Sequence, residues 1–444
     1  MPYSNVLIIT YLFPPSGGIG PPRYVAYTRY LPQHGCQVSV LTARRPATPL
    51  YDPDLAAKVP PSTQVYRAFN PEVSYEFRDR IWKWMARGKV DGVPEPQTTS
   101  QKSLLAPARG FARRAIQSLF APDVQKFWIP FAMRLARRII RQNNIDTVIL
   151  NTPPFSLFGI IAPLKREFPH LKWITEIRDD WVGYYLENFD SAIDDRKRRL
   201  AIRMEAEGIR ASDFVVPVTP AQTSAVRARY PDQPESKFLC VPNGYDAELF
   251  ENFQARPKNQ GRMVVTYFGS LYASPPYSPV GYLEALDSLP EQVRSRIETR
   301  FIGRVVREAA PLLEGRRAAI RQLGFFPRAE GIRLLEETDY LLLIVNDPTA
   351  HAGKLFDYLA SGAPILALTP PSGEIAGLMR ETRAGKIVDG RDVEGIRAAL
   401  LAMWEEYQER EGHWPDPNWP AIRAYERRNL VARLVEKTGI GKPA

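Results

Sequence analysis

The chain has 444 residues and a formal net charge of +10, and its pI is near 9.4. An apolar content of 44% and a charged content of 24% are typical of folded proteins, which excludes a disordered chain. The length suits two domains of ordinary size. No apolar run is long enough for a membrane-spanning helix, and residues 1–5 carry no basic segment of a secretion signal.

The cysteine and histidine content argues against a metal protein. Cys36 and Cys240 each lie beside an apolar, strand-like run, so we expect reduced, buried thiols in a cytoplasmic protein. Two distant cysteines and four scattered histidines exclude a site of the Cys and His type. Asp52-Pro53-Asp54 lies in a proline-rich loop and is predicted to be a turn. We therefore expect no bound metal.

The N-terminal segment predicts a βαβ unit with a phosphate-suited first turn. Val6–Thr10 is a buried-strand run, a glycine-rich loop follows over 11–23, Tyr24–Leu31 is helical and Gln37–Thr42 is a second strand. The glycine spacing does not match the dinucleotide fingerprint, and no acidic residue closes the second strand. An oxidoreductase that binds a nicotinamide cofactor is therefore disfavoured.

The rest of the first half continues the alternation of strands and helices. The predicted strands are Thr147–Asn151, Trp173–Ile177, Phe214–Val218 and Lys237–Val241, and the predicted helices are Phe131–Arg141 and Arg198–Ala211. We place the first domain at 1–250, with an insertion at about 70–120.

A turn cluster over 241–246 and a polar stretch over 251–262 predict the domain boundary. A second α/β series occupies 263–412, and 413–444 forms a hinge and a C-terminal helix that returns to the first domain. After residue 262 the predicted strands are Met263–Phe268, Arg300–Gly303, Tyr340–Val345 and Ile365–Leu368. The predicted helices are Ile332–Glu337 and Trp419–Lys437. The predicted fold class is α/β, with two Rossmann-like domains that face a central cleft where a ligand would bind.

The pattern of residues 349–366 predicts a loop, a short helix that ends at a glycine, and then a buried strand. Gly353 allows close backbone approach at the helix start, where N–H groups attract phosphates. Lys354, Asp357, Tyr358 and Ser361 recur at helical spacing on one face. The cation would hold a diphosphate and the carboxylate would accept hydroxyl groups of a sugar or ribose. From this segment alone, an ordinary amphipathic helix explains the pattern equally well.

Four segments together resemble a family 4 glycosyltransferase of the GT-B fold. The resemblance covers nearly the whole chain except about 45–125. The loop 13–23 is similar to the family's "PP-x-x-GGxG" entry, and Glu176-Ile177-Arg178-Asp179-Asp180-Trp181 is similar to an "RDPW" element. Residues 241–246 are similar to "PNGxD", and residues 349–364 are similar to the family's donor loop and helix.

The resemblance implies transfer from a nucleotide sugar to a glycan, with retention and without metal or cofactor. The implied catalytic residues are Lys354, Asp357 and Arg178. The implied donor-binding residues are Gly17, Gly18, Gly269, Arg304, Phe326, Thr349, Gly353, Lys354, Leu355 and Asp357. The implied acceptor-binding residues are Arg23, Arg178 and Asp179. The expected donor is a UDP- or GDP-sugar, and the expected role is bacterial surface polysaccharide assembly.

The sequence departs from the family pattern at three places, of which Thr349 and the loop 269–277 motivate an alternative function. Thr349 and Asp357 stand where members often have two glutamates, and Arg178 stands where many have a histidine that contacts the donor. The loop 269–277 lacks the family's cations, so Lys354, helped by Arg304, would have to neutralise the diphosphate. The alternative is a GT-B-shaped protein that binds a nucleotide sugar, or acts as a scaffold, without turnover.

The positive charge predicts an anionic partner. Arginines and aromatic residues alternate in the region 75–120, including Trp82, Trp84 and Phe111, which suits peripheral contact with an anionic membrane. We see no nucleic-acid motif. The prediction is a cytoplasmic protein that contacts the inner face of the membrane and uses a lipid-linked oligosaccharide acceptor.

Overall fold

The computed structural model describes residues 4–18, 20–48, 50–72, 122–186, 195–254, 261–409 and 414–441. The chain divides into two compact units. Unit 1 comprises Met1–Val218, Thr223–Cys240 and Leu434–Ala444, and unit 2 comprises Thr219–Gln222 and Val241–Arg433. Most of the predicted insertion lies outside the described residues.

Unit 1 contains a parallel six-stranded sheet with the order β3-β2-β1-β4-β5-β6. Its strands are β1 (Ser4–Ile9), β2 (Cys36–Ala43), β3 (Gln64–Ala68), β4 (Thr147–Thr152), β5 (Lys172–Ile177) and β6 (Phe214–Pro217). In the register, Val6 pairs with Val38 of β2 and with Thr147 of β4. This strand order is that of a Rossmann fold, and its direction reverses between β1 and β4.

The helices before residue 241 connect these strands. They are α1 (Pro21–Tyr30), α2 (Pro53–Ala57), α3 (Ile129–Gln142), α4 (Phe158–Glu167), α5 (Asp195–Ala211) and α6 (Pro220–Arg229). Short helical turns occupy Leu31–His34, Val124–Trp128, Phe155–Leu157, Trp181–Tyr185 and Glu235–Lys237.

Unit 2 repeats the same topology. Its parallel sheet has the order β12-β11-β10-β7-β8-β9, with the reversal between β7 and β10. The strands are β7 (Met263–Phe268), β8 (Ile297–Ile302), β9 (Ala319–Gly324), β10 (Tyr340–Ile344), β11 (Ile365–Leu368) and β12 (Gly385–Val388). Two Rossmann-like units confirm the predicted α/β class.

The helices of the second half begin after β7. They are α7 (Val280–Asp287), α8 (Glu291–Arg294), α9 (Arg328–Leu334), α10 (Gly353–Ser361), α11 (Glu374–Thr382), α12 (Val393–Glu409), α13 (Trp419–Arg423) and α14 (Arg427–Thr438). Short helical turns lie at Ala247–Phe250, Ala310–Leu313 and Leu335–Glu337. Within the described ranges, no helix has the length and apolar character needed to cross a membrane.

Two predicted elements differ from the structure. The predicted strand Lys237–Val241 makes one bridge, between Phe238 and Val215, because β6 ends at Pro217 and offers little ladder beyond it. The predicted helix Trp419–Lys437 is broken at 424–426, where the Tyr425 carbonyl accepts from the N–H of Tyr245. The helix is therefore interrupted where this hydrogen bond forms.

Candidate functional site

The switch point of the unit 2 sheet places a helix N-terminus beside a glycine turn. β7 ends at Phe268 and β10 ends at Ile344, and these neighbouring parallel strands end at the same edge. α10 begins at Gly353, and eight residues separate it from the end of β10. In doubly wound sheets, ligands bind at this edge and at this point of the strand order.

The loop before α10 is fixed by a buried carboxylate. Asp347 is 3% exposed, and its Oδ1 accepts hydrogen bonds from the N–H groups of Thr349 (2.7 Å) and Ala350 (3.1 Å) and from the Thr349 hydroxyl (2.9 Å). No side chain caps α10, whose N-cap residue is Ala352. The first N–H groups of this helix therefore have no side-chain acceptor.

The ammonium group of Lys354 lies over an aromatic ring at the end of β7. Its Nζ is 3.7 Å from the ring centroid of Tyr267, a cation–π contact. A Cβ added to Gly269 would lie 2.9 Å from the same Nζ. In the described part of the chain, no ion pair joins Lys354 to a carboxylate. A half-buried positive charge is thus held without an anion.

Two glycines make this arrangement possible. Gly269 has φ +132° and Gly303 has φ +135°, values that residues with a Cβ rarely adopt. A Cβ on Gly303 would lie 2.3 Å from the carbonyl oxygen of Gly269. The loops after β7 and β8 therefore approach each other closely, and the missing side chain of Gly269 accommodates the ammonium group of Lys354.

Burial of Lys354 lowers its pKa to about 7, from an ordinary value of 10.5. Desolvation disfavours the charged form, and no carboxylate compensates for it. An anion bound beside Nζ would restore the charged form. Lys354 is therefore suited to bind and neutralise a phosphate group.

We expect the stability of the protein to depend on pH through Lys354. Below pH 7 the amine is protonated in both states. Between about pH 7 and 10.5 the unfolded chain holds the proton and the folded chain does not. The free energy of unfolding should therefore rise with pH across this window. Urea denaturation of the wild type and the Lys354→Met variant from pH 6.5 upwards measures the difference, and a pH-independent difference would contradict the lowered pKa.

Asp357 lies one turn further along α10 and is engaged by an arginine. Its Oδ1 and Oδ2 accept from Arg328 at 2.6 and 3.2 Å, and its side chain is 8% exposed. Arg328 also donates to Asp246 at 3.1 Å, and Arg427 donates to the same Asp246 oxygen. The structure therefore places this predicted hydroxyl acceptor in a four-residue ionic network.

The other polar residues of the predicted helix face are buried. The Tyr358 hydroxyl accepts from the N–H of Phe268 at 2.7 Å, and the Ser361 hydroxyl donates to the Tyr358 carbonyl. Leu355 is fully buried, and its N–H donates to the Ala352 carbonyl. These contacts fix α10 against β7 and β10. Of the predicted polar face, Lys354 is the member whose charged group lies against Gly269.

The remaining predicted donor residues lie on loops of unit 2. Thr349 is exposed, and its carbonyl accepts from the Thr219 hydroxyl at 3.0 Å. Arg304 is exposed after β8, and Phe326 packs partly against the core after β9. The structure brings Gly269, Gly353 and Lys354 together at the switch point and leaves Arg304 and Phe326 on the adjoining loops.

His351 is a site feature that the sequence did not reveal. Its side chain is 5% exposed, packs edge-on against Phe356, and has both ring nitrogens buried without a hydrogen-bond partner. Burial lowers its pKa to about 4, so the ring is neutral at physiological pH. It supports the loop before α10 as an uncharged group.

In unit 1, the predicted acceptor residue Arg23 is part of a buried ion pair. Its Nη2 donates to Oε1 of Glu176 at 2.7 Å, and its Nε donates to the same oxygen at 3.0 Å. The Tyr27 hydroxyl donates to this oxygen as well. Glu176 is fully buried and its Oε2 has no hydrogen-bond partner. Arg23 therefore joins α1 to the end of β5.

Arg178 follows β5 and lies against the start of α1. A Cβ on Gly20 would be 2.6 Å from its Nη1, and its Nε is buried without a hydrogen-bond partner. Asp179 is exposed. In the loop after β1, Gly18 has φ +107°, and the N–H of Gly17 donates to the Leu50 carbonyl at 3.0 Å.

Several residues of the quoted motifs have structural roles. Asp180 forms a bidentate pair with Arg229, at 2.5 and 2.9 Å, and Trp181 stacks on Phe155 with ring centroids 5.0 Å apart. A Cβ on Gly244 would lie 2.3 Å from the Tyr425 carbonyl. Such contacts explain why these motifs need those residue types.

The segment 52–54, which was predicted to be a turn, caps and begins the short helix α2. Asp52 caps α2 by accepting the N–H of Leu55 at 2.9 Å. Across the ranges that the structure describes, no three His, Cys, Asp or Glu side chains are grouped to hold a metal ion.

Sequence reasoning missed three residues at the unit 2 site: Tyr267, Arg328 and His351. Tyr267 lies in an apolar strand and reads as core. Arg328 begins a short helix after an edge strand that was not predicted, so nothing in the sequence pointed to its partner Asp357. The sequence offered one signal for Tyr267. A buried strand followed by a glycine predicts that Tyr267 is the last core-facing residue before the turn.

Comparison with known proteins identifies similar domains. Residues 20–244 match the family model described as a glycosyl transferase 4-like domain. No curated protein matches the sequence significantly.

Solved structures similar to this chain share its two-unit fold. Sucrose-phosphate synthase from Thermosynechococcus elongatus is 11% identical with a TM-score of 0.60, and 98% of each chain is covered. WaaG, a glycosyltransferase involved in lipopolysaccharide biosynthesis, is 14% identical with a TM-score of 0.55, covering 98% of this chain and 97% of its own. The catalytic domain of starch synthase IV from Arabidopsis thaliana, bound to ADP and acarbose, is 12% identical with a TM-score of 0.56, covering 99% of both chains. At these identities the similarity shows the fold alone.

Proposed function

The chain belongs to the family of glycosyl transferase 4-like domains and is a glycosyltransferase of the GT-B type, and we propose that it transfers a sugar from a nucleotide sugar to a glycan acceptor with retention. The resemblance found in the sequence is confirmed. One observation supports the proposed binding of the donor's diphosphate. The half-buried Lys354 ammonium lies at the start of α10, and no carboxylate of the described ranges forms an ion pair with it.

The proposed reaction requires stabilisation of a nucleoside diphosphate as it leaves. Charge develops on the diphosphate oxygens, and fixed dipoles and cations in a site with little water stabilise it most effectively. Lys354 supplies the cation, and the N-terminus of α10 supplies N–H groups and the positive end of a helix dipole. The loop 269–277 has no cation, so we assign this task to Lys354.

The experiment that tests this function has two stages. Calorimetric titration with UDP-, GDP-, ADP- and dTDP-sugars identifies the donor nucleotide, and NMR of the transferred or hydrolysed sugar then reads the configuration at the anomeric carbon. We expect a UDP- or GDP-sugar to bind and the α configuration of an α-linked donor to be retained. Binding of none of the four nucleotide sugars would contradict the proposal.

A binding or scaffold protein without turnover is the second candidate function. Two observations favour it: Thr349 is exposed where the family often has a glutamate, and the Asp357 carboxylate is held by Arg328. The two candidates differ in one measurement. Binding of a nucleotide sugar with neither hydrolysis nor transfer to any tested glycan would favour the binding protein.

We propose that the acceptor is a lipid-linked glycan at the inner membrane face, used in bacterial surface polysaccharide assembly. The residues predicted to contact lipid, about 75–120, lie outside the described residues. Among the described residues of unit 1, exposed aromatic and basic side chains occur shortly before and after this range in the sequence. Phe69 and Phe131 are 53% and 41% exposed and pack edge to face at 5.0 Å. Lys126 lies over the ring of the exposed Phe127.

The exposed face of α3 carries further basic residues. Arg134 and Arg138 follow Phe131 at helical spacing and are exposed, whereas Ala132, Ala136 and Ile139 face the core. Exposed aromatics beside arginines suit an anionic lipid surface, where the rings enter the headgroup region and the cations remain at the phosphates.

We expect the Arg134→Gln/Arg138→Gln variant to bind anionic vesicles more weakly than the wild type. Each basic residue near an anionic surface contributes about 1 kcal/mol. Co-sedimentation at low and high salt measures the effect, which salt weakens because the screening length is about 8 Å at physiological ionic strength. The control variant is Arg199→Gln/Arg203→Gln on α5, which removes the same charge elsewhere on unit 1. Equal binding by all three proteins would contradict this surface.

A further inference from the structure

Arg178 lies at the carboxyl edge of the unit 1 sheet and is not part of the buried ion pair between Arg23 and Glu176. Oε1 of Glu176 receives the hydrogen bonds of Arg23 and Tyr27, so the charge of Arg23 is matched at 2.7 Å. Arg178 lies two residues after Glu176 and adds a second positive charge at the same edge. In the described ranges, no ion pair within 4.0 Å joins Arg178 to a carboxylate. The guanidinium of Arg178 therefore has no direct carboxylate partner among the described residues, although the exposed Asp179 follows it in the chain.

The guanidinium of Arg178 is positioned against backbone. Its Nη1 lies so close to Gly20 that a Cβ there would be 2.6 Å away, and its Nε is buried without an acceptor. The hydroxyl of Tyr24, on the first turn of α1, is also buried without a hydrogen-bond partner. Buried donors are paired in almost all folded proteins, and an unpaired charged donor calls for an anionic partner.

The first residues of α1 cannot donate backbone N–H groups to such an anionic partner. Its first two residues are Pro21 and Pro22, which have no N–H groups. The positive end of the helix dipole remains, so a negative charge is still favoured there. The hydrogen bonds to that charge would have to come from the planar guanidinium of Arg178, whose geometry matches a carboxylate or a phosphate.

From this arrangement we propose that Arg178 binds an anionic group, a phosphate or a carboxylate, on the acceptor sugar. This inference rests on the proposed function for the identity of the acceptor, but the anion site itself stands on unit 1 alone. Arg178 would act as a specificity-determining residue: its Nε and Nη groups would hold the oxyanion, and Tyr24 would donate one further bond. A neutral sugar would leave these donors unpaired and would bind more weakly.

The experiment compares three probes that differ in charge. Glucose 6-phosphate, glucuronate and glucose are titrated into the full-length protein, with the nucleoside diphosphate identified in the donor screen present at saturation to occupy unit 2. We expect one anionic probe to bind at least about tenfold tighter than glucose, since hydrogen bonds to a charged group discriminate by that factor. Which anionic probe binds tells phosphate from carboxylate.

Two variants assign the effect to Arg178. Arg178→Gln should abolish the preference for the anionic probe and leave nucleoside diphosphate affinity unchanged, which also shows that the variant is folded. The control is Arg44→Gln, which removes an exposed arginine at the carboxyl end of β2, on the same edge of the same sheet, and should keep the preference. A preference that survives in Arg178→Gln, or no preference in the wild type, would overturn the proposal.

Failure of this inference and failure of the proposed function give different results. A protein that binds a nucleoside diphosphate but shows no Arg178-dependent anion preference keeps the donor function and loses the anion site. A protein that binds no nucleotide, yet prefers an anionic probe through Arg178, keeps the anion site and loses the donor function. In that second case the titration is run without the nucleotide.

Discussion

Replacement of Lys354 by methionine is expected to weaken nucleoside diphosphate binding by roughly tenfold to a hundredfold, because a charged contact in a water-poor site is worth about 1.5–3 kcal/mol. Methionine keeps the length and apolar stem of the side chain, so it still covers the ring of Tyr267. The variant removes a buried charge that has no carboxylate partner. Its free energy of unfolding at pH 7 should therefore be no lower than that of the wild type.

The measurement is calorimetric titration with the nucleoside diphosphate at several pH values. Binding should be coupled to proton uptake above pH 7, because the bound anion favours the protonated amine, whose pKa in the free protein is about 7. The control is Arg307→Met, which removes an exposed cation from the loop after β8. Equal affinity of Lys354→Met and wild type would exclude Lys354 from the donor site.

Replacement of Arg328 by methionine should lower the free energy of unfolding by about 3 kcal/mol, the lower end of the range for breaking a buried ion pair. Arg328 holds Asp357 through two hydrogen bonds and Asp246 through a third. Without it, the buried Asp357 carboxylate loses its ion-pair partner and both of its hydrogen bonds to a guanidinium. The lower end of the range applies because the Arg328 side chain is 25% exposed.

A double-mutant cycle that combines Arg328→Met with Asp357→Asn tests whether the Asp357 carboxylate stabilises the fold or binds the ligand. If Asp357 is mainly held in the ionic network, each single variant destabilises and the double variant costs less than their sum. The control is Arg333→Met on the same helix α9, an exposed position. Loss of nucleotide-sugar binding by Asp357→Asn with unchanged stability would show that the carboxylate acts on the ligand, as predicted from the sequence.

The edge strands explain which parts of the sheets the sequence did not reveal. β9 and β12 lie at the two edges of the unit 2 sheet, and β3 lies at an edge of the unit 1 sheet. Their side chains are largely exposed or half-buried, so no continuous apolar run marks them. β1, β4 and β10 lie inside the sheets and are covered on both faces, and their apolar runs predicted them directly.

The sequence by itself determined the fold class and the position of Lys354 at the start of a helix after a buried strand. Both follow from short-range patterns, because a strand covered on both faces must be apolar and a helix must start near its glycine or cap. Tertiary structure alone decided the partners of the charged residues. Arg23 pairs with Glu176 and Arg328 with Asp357, across sequence separations of 153 and 29 residues. No local pattern encodes such pairs, because each depends on strand order and on which side chains the packed sheet removes from water.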